Sequence, residues 1–176
     1  MKKFLSGLVL AGLIVSCSNN NKSGNEAGKK DMSMSAAESK QERNKKVIMA
    51  NMEAAAKGDA ETMLKDVAAS FTEYFDGTIP PVTSRDSLKM MLQSFFTSIE
   101  GFKPSGIMYL ADGDYVAAYA NWSGMFKKDF MGVKATGKMV NYPDVDIFKL
   151  NEEGKITEHR SVQNTGAALM SSGMMK

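Results

Sequence analysis

One cysteine in 176 residues, Cys17, rules out an intrachain disulfide and any metal site built from several thiolates. One histidine, His159, leaves only carboxylates to accompany it, so no metal site and no cofactor are expected. Glycine-rich phosphate loops and serine-nucleophile elbows are missing too. Nor is there an excess of charge. The chain has 22 basic and 20 acidic side chains, and removing Lys2 and Lys3 with the leader described below leaves 22 − 2 = 20 against 20. Such a balance provides no general attraction for nucleic acid. A hydrophobic share of 43% with 24% charged residues leaves one globular domain as the expectation.

What is present begins with MKKFLSGLVLAGLIVSC, two lysines followed by an apolar run too short to span a bilayer. Residues 1–16 read as a secretory signal. Ile14, Val15, Ser16 and Cys17 resemble the lipobox of bacterial lipoproteins, which implies cleavage before Cys17 and acylation of that residue, palmitate included. Anchoring by several acyl chains is stable, whereas one chain holds only marginally. Residues 17–39 are rich in Ser, Asn, Gly and Lys without one aromatic or β-branched residue, which predicts a flexible tether. At that length its span would be roughly 25 Å. The location implied is the cell envelope, on the periplasmic side of the outer membrane in a Gram-negative cell.

Residues 40–170 carry the expected domain, with a loose tail over 171–176. Val47, Ile48, Asn51, Met52 and Ala55 recur at helical spacing, Gly58 stops that helix, and Asp59 caps a short second one. Residues 68–74 are short and mixed, and Pro80 and Pro81 forbid helix. A third helix starts at Ser84 and directs Leu88, Met91, Leu92, Phe95, Phe96 and Ile99 inward. Beyond Gly101 the chain reads as extended, with an Asp112-Gly113-Asp114 turn and a final hairpin over Thr136–Asn164. Helices first and strands afterwards predict an α+β domain with an antiparallel sheet.

ADGDYV (Ala111–Val116), Thr136-Gly137-Lys138 and GKITEH (Gly154–His159), in this order, resemble the SnoaL-like branch of the nuclear-transport-factor-like superfamily. The resemblance implies a cone-like, curved antiparallel sheet wrapped around the N-terminal helices, with a pocket at the open end. It also implies a choice among functions, because cyclases, isomerases and non-catalytic domains share this fold. In cyclase-like members a tryptophan follows the "EH" pair and an acid/base aspartate stands a few residues later. Here Arg160 and Asn164 occupy those slots, and an asparagine exchanges no proton near neutral pH.

Tyr74, Phe95, Trp122, Phe148, Arg160 and Asn164 are the expected pocket residues, and Asp146 is the candidate catalytic carboxylate. His159 is a second proton carrier by chemistry. Strand alternation separates it from Arg160, and the apolar Ile156 and Val162 mark the Arg160 and Asn164 face as the inner one. Three readings follow. The domain binds a small apolar or amphipathic molecule without catalysis, or works as a cyclase- or isomerase-type enzyme through Asp146, or serves assembly as a homodimer through the sheet face.

Overall fold

The computed structural model describes residues 26–132 and 134–174. The expected signal at 1–16, the acylated Cys17 and residues 18–25 lie outside the described residues. Helix α1 (Glu26–Ala56) is followed by α2 (Ala60–Lys65), strand β1 (Val67–Glu73) and α3 (Arg85–Ser98). Strands β2 (Ile99–Asp112), β3 (Tyr115–Phe126), β4 (Met139–Leu150) and β5 (Ile156–Gln163) come next, and α4 (Thr165–Ser171) closes the chain. The backbone is thus helical from Glu26, through a stretch expected to be a flexible tether. Ala, Glu, Lys and Met there favour helix, and the absence of β-branched residues, which argues against a core, does not argue against helix. Among the described residues no helix is long and apolar enough to cross a membrane.

The sheet has the order β1-β5-β4-β3-β2. Four strands are antiparallel neighbours, and β1 joins the edge in parallel with β5. That parallel strand arises from the segment 67–73, read as mixed because its residues are small and lack a clean alternation. The capping residues act as the sequence implies: the Asp59 carboxylate accepts from the Thr62 N–H at 3.0 Å, and Ser84 begins α3.

One face of the sheet carries the core. Val116, Ala118, Ala120, Trp122 and Phe126 from β3 and Val140, Phe148 and Leu150 from β4 point the same way, toward Ile48, Met52 and Ala55 of α1. Two polar ties fix α1 over this face: the Asn44 side chain donates to the Gly113 carbonyl at 3.2 Å and Arg43 to the Glu152 carbonyl at 2.7 Å. The end of the chain docks as well. Ser172 and Met174 are buried, and the Thr136 hydroxyl donates to the Ser172 carbonyl at 3.1 Å, so the described part of the tail is not loose.

Register in the hairpin decides what faces inward. Asp144 to Lys149 pair in step with Gln163 to Glu158, but Leu150 pairs with Ile156, leaving Thr157 as an extra residue on β5. This β-bulge reverses the phase of the strand. Ile156 is inward before it, and His159, Ser161 and Gln163 are inward after it. Alternation counted straight from Ile156 gives the opposite result, which is why the Arg160 and Asn164 face was expected inside. Both residues are exposed. Val162, at 63% exposure, is an outer residue and not a core marker.

Candidate functional site

Between α1, α2, α3 and the concave sheet face lies a cavity of about 370 Å³. Ala118 and Ala120, fully buried on β3, stand opposite Asp146 and Asp144 on the neighbouring strand. One part of the wall is aromatic. Phe102 stacks on Trp122 with centroids 4.4 Å apart, and Phe95 meets Phe102 edge-on at 5.0 Å.

The other part is ionic, and pleat alternation assembles it. Tyr142, Asp144, Asp146 and Phe148 share the inner face of β4, while His159 and Ser161 share that of β5. Glu73 comes from the end of β1, where it pairs directly with His159. The imidazole lies between two carboxylates: Nδ1 is 2.8 Å from Glu73 Oε2, and Nε2 is 3.0 Å from Asp146 Oδ1. Both ring nitrogens donate in this arrangement, which only the imidazolium can do. Burial alone would lower the His159 pKa, but the charges and hydrogen bonds of Glu73 and Asp146 outweigh it and raise it to about 10. Phe148 stacks on the ring at 4.5 Å and the Phe75 N–H donates to Glu73 at 2.7 Å, so the imidazolium is held from several sides.

Among the described residues no lysine or arginine is hydrogen-bonded to Asp144. Only 6% exposed, it accepts from the Ser161 hydroxyl at 2.8 and 2.9 Å, and the same hydroxyl is 3.3 Å from Asp146. Burial, together with the charge of Asp146, pushes the Asp144 carboxyl up to about 6, against smaller opposing effects of Ser161 and His159. Asp144, Ser161, Asp146 and His159 therefore form one connected chain of hydrogen bonds able to pass a proton between the two carboxylates. Tyr142, 8% exposed, lines the same space, and its hydroxyl has no hydrogen-bond partner among the described residues. Its burial and the charges of Asp144 and Asp146 raise its pKa, so it stays protonated. A neutral phenol, a carboxyl that titrates near neutrality and a fixed imidazolium together can bind a polar group and exchange a proton with it.

Of the residues expected at the site, Phe95, Trp122, Asp146 and Phe148 line the cavity. Tyr74 does not. It follows the inward Glu73 and so points outward, where the Arg160 guanidinium lies 3.6 Å from its ring centroid. Arg160 and Asn164 are on the outside for the register reason given above. His159, expected outside, is at the centre of the ionic wall. Glu73, Tyr142, Asp144 and Ser161 were missed. The Asp144-x-Asp146 spacing puts both acids on one face of a strand and was a usable signal, whereas nothing local marks Glu73, 86 residues from the histidine it holds. Among the described residues no group of carboxylate, histidine or cysteine side chains is arranged to hold a metal ion.

Residues 45–170 match the family described as SnoaL-like polyketide cyclase. No curated protein matches the chain. Among solved structures, a SnoaL-like protein from Jannaschia sp. CCS1 superposes with a TM-score of 0.69 at 18% identity, covering 78% of this chain and 95% of that one. AclR of Streptomyces galilaeus gives 0.66 at 21% identity, over 77% of this chain and 88% of the other. TsrD of Streptomyces laurentii gives 0.66 at 13% identity, over 77% and 98%. At such identities the likeness shows the fold, a curved sheet around N-terminal helices.

Proposed function

The chain belongs to the SnoaL-like polyketide cyclase family, and from that membership we propose that its domain holds a small apolar or amphipathic molecule in the cavity, without turning it over, on a protein anchored to the cell envelope through Cys17. The observation that carries this reading is the cavity itself: about 370 Å³, within the range typical of small-molecule sites, with mostly apolar walls and a few polar groups gathered on one side. The family's acid/base position is an asparagine here, Asn164, and it is exposed. Native mass spectrometry of the protein taken from its own envelope tests the reading. A co-purifying small molecule is expected, and a domain that remains empty and gains no mass from added apolar ligands would sink it.

A second reading has its own observation. Asp146 points into the cavity, and the adjoining Asp144 has a pKa near neutrality, as a cyclase- or isomerase-type acid/base step requires. On this reading Asp144 and Asp146 share the mobile proton, and Tyr142 takes the carbonyl-polarising role expected of Arg160 or Asn164. Its test is exchange of α-protons of 2-tetralone in deuterium oxide, followed by proton NMR. Exchange faster than in buffer alone, and lost in Asp144→Asn, is expected of an enzyme; a rate equal to buffer removes this reading.

The assembly reading rests on the convex face, where Met108, Leu110 and Val162 are exposed. We infer that a second copy covers this face, which is compatible with either use of the cavity.

A further inference from the structure

We propose that the molecule this cavity takes is an amphipathic cation: a protonated amine on a ring-sized apolar body, with the ammonium held by Asp144 and the Tyr142 hydroxyl. The inference rests on the binding reading above and narrows it to a chemical class.

The sign of the wall comes first. Among the described residues no lysine or arginine lines the cavity. From β1 and β4 come Glu73, Asp144 and Asp146, and from β5 comes one imidazolium, so with Asp144 ionised three carboxylates face a single positive charge. The other ionisable residues at the wall do not change the sum in favour of an anion. Glu158 is turned to Lys149 at 3.1 Å and Arg160 at 3.5 Å, and exposed Asp76 accepts from Thr78. Helices α1 to α4 bring no charged side chain to the cavity. In a water-poor space this surplus penalises a bound carboxylate and rewards a cation far more than it would in water.

The vacant valence comes second and is independent of the sign. Tyr142 is 8% exposed and lines the cavity, and its hydroxyl takes no hydrogen bond among the described residues. A hydroxyl that borders a cavity with its hydrogen-bonding capacity unused is free to take a group supplied from outside. Tyr142 and Asp144 are two residues apart on one face of β4, hence about 7 Å between their Cα atoms. An ammonium has three donors and no acceptor, so it can give one hydrogen to the phenol oxygen and others to the Asp144 carboxylate. Glu73 and Asp146, already committed to His159, contribute field without needing to move. The stacked Phe102 and Trp122 and the edge-on Phe95 offer flat walls to the body of the ligand.

Isothermal titration calorimetry on the full chain, with 2-(1-naphthyl)ethylamine, 2-(1-naphthyl)ethanol and 1-naphthylacetate as charge-varied probes of one shape, tests the proposal. At pH 7.5 the amine is expected to bind at least about ten-fold more tightly than the alcohol, and the carboxylate most weakly. The amine's advantage should shrink on going to pH 5, as Asp144 takes up its proton, while the alcohol's affinity holds. Asp144→Asn should reduce the amine-to-alcohol ratio to within about three-fold, and Tyr142→Phe, which removes only an unpaired hydroxyl, should weaken the amine with the fold intact. Equal binding of amine and alcohol, or a preference for the carboxylate, overturns the proposal and leaves the cavity's binding role standing. A preference that survives both substitutions overturns it too. Failure of all three probes to bind removes the binding reading along with the inference.

Discussion

Asp144 and His159 are two residues of one network whose contributions to stability both fall as pH rises, over different windows and for different reasons. For Asp144 the folded-state pKa is raised, to about 6, so the folded form binds the proton more tightly and stability falls as pH rises from about 4 to about 6. Asp144→Asn should therefore stabilise the protein at pH 7.5 by roughly 1–2 kcal/mol and much less at pH 4. Urea denaturation at the two pH values measures this, and a variant less stable at pH 7.5 contradicts it. For His159 the folded pKa is also raised, but the charged form is the favoured one. Its contribution is complete below about pH 6.5 and is lost as pH climbs through about 10. His159→Gln should remove the alkaline part of the stability profile, so that wild type and variant converge above pH 10; parallel profiles would argue against a charged imidazole. At this scale the sequence made Asp146, Phe95, Trp122 and Phe148 legible, because their faces follow from local pattern. It hid Glu73, whose role exists only once β1 lies beside β5.

Elements were legible where period and caps agree, as in α2 and α3, and less so where tertiary contacts decide. The parallel edge strand β1 is made by its neighbour, since its own β-favouring residues, Val67, Phe71 and Thr72, are diluted by Ala68, Ala69 and Ser70. The bulge at Thr157 leaves no mark in the apolar pattern, and one uncounted residue inverted the expected faces of β5. Within β3, Gly124 shows how tightly the sheet meets the start of β2: a Cβ there would stand 2.7 Å from Ile99 Cδ1 and 2.8 Å from Cγ1. Ile99 is buried and β-branched, so Gly124→Ala should cost about 1–3 kcal/mol, read as a lower denaturation midpoint with unchanged m-value. A wild-type midpoint would mean that Ile99 has room to yield. The α4 segment adds a dynamic expectation. Ala168, Leu169 and Met174 contribute to the cavity wall, so ending the chain at Asn164 should speed release of a bound naphthyl probe in stopped-flow measurements. An unchanged rate would mean that the ligand leaves elsewhere.

For the whole molecule, one side of the sheet is closed by helices around a cavity and the other presents apolar side chains to the outside. Leu110 is 76% exposed and Met108 61%, on the strand at the sheet's edge. Under the dimer proposed above, sedimentation equilibrium should give twice the monomer mass, and Leu110→Glu should return it to one; a wild-type monomer at micromolar concentration refutes the dimer. Intact-mass analysis of the membrane-extracted protein should find the chain starting at an acylated Cys17. The extra residue in β5 also bears on descent. Were Thr157 drawn into the ladder opposite Lys149, alternation would run unbroken from Ile156, bringing Glu158, Arg160, Val162 and Asn164 to the concave side and sending His159 and Ser161 to the convex side. A lineage with this fold could thus exchange an acidic, proton-carrying interior for a basic and amide-bearing one by a one-residue slip of pairing along a single strand, with no substitution among the side chains that do the work.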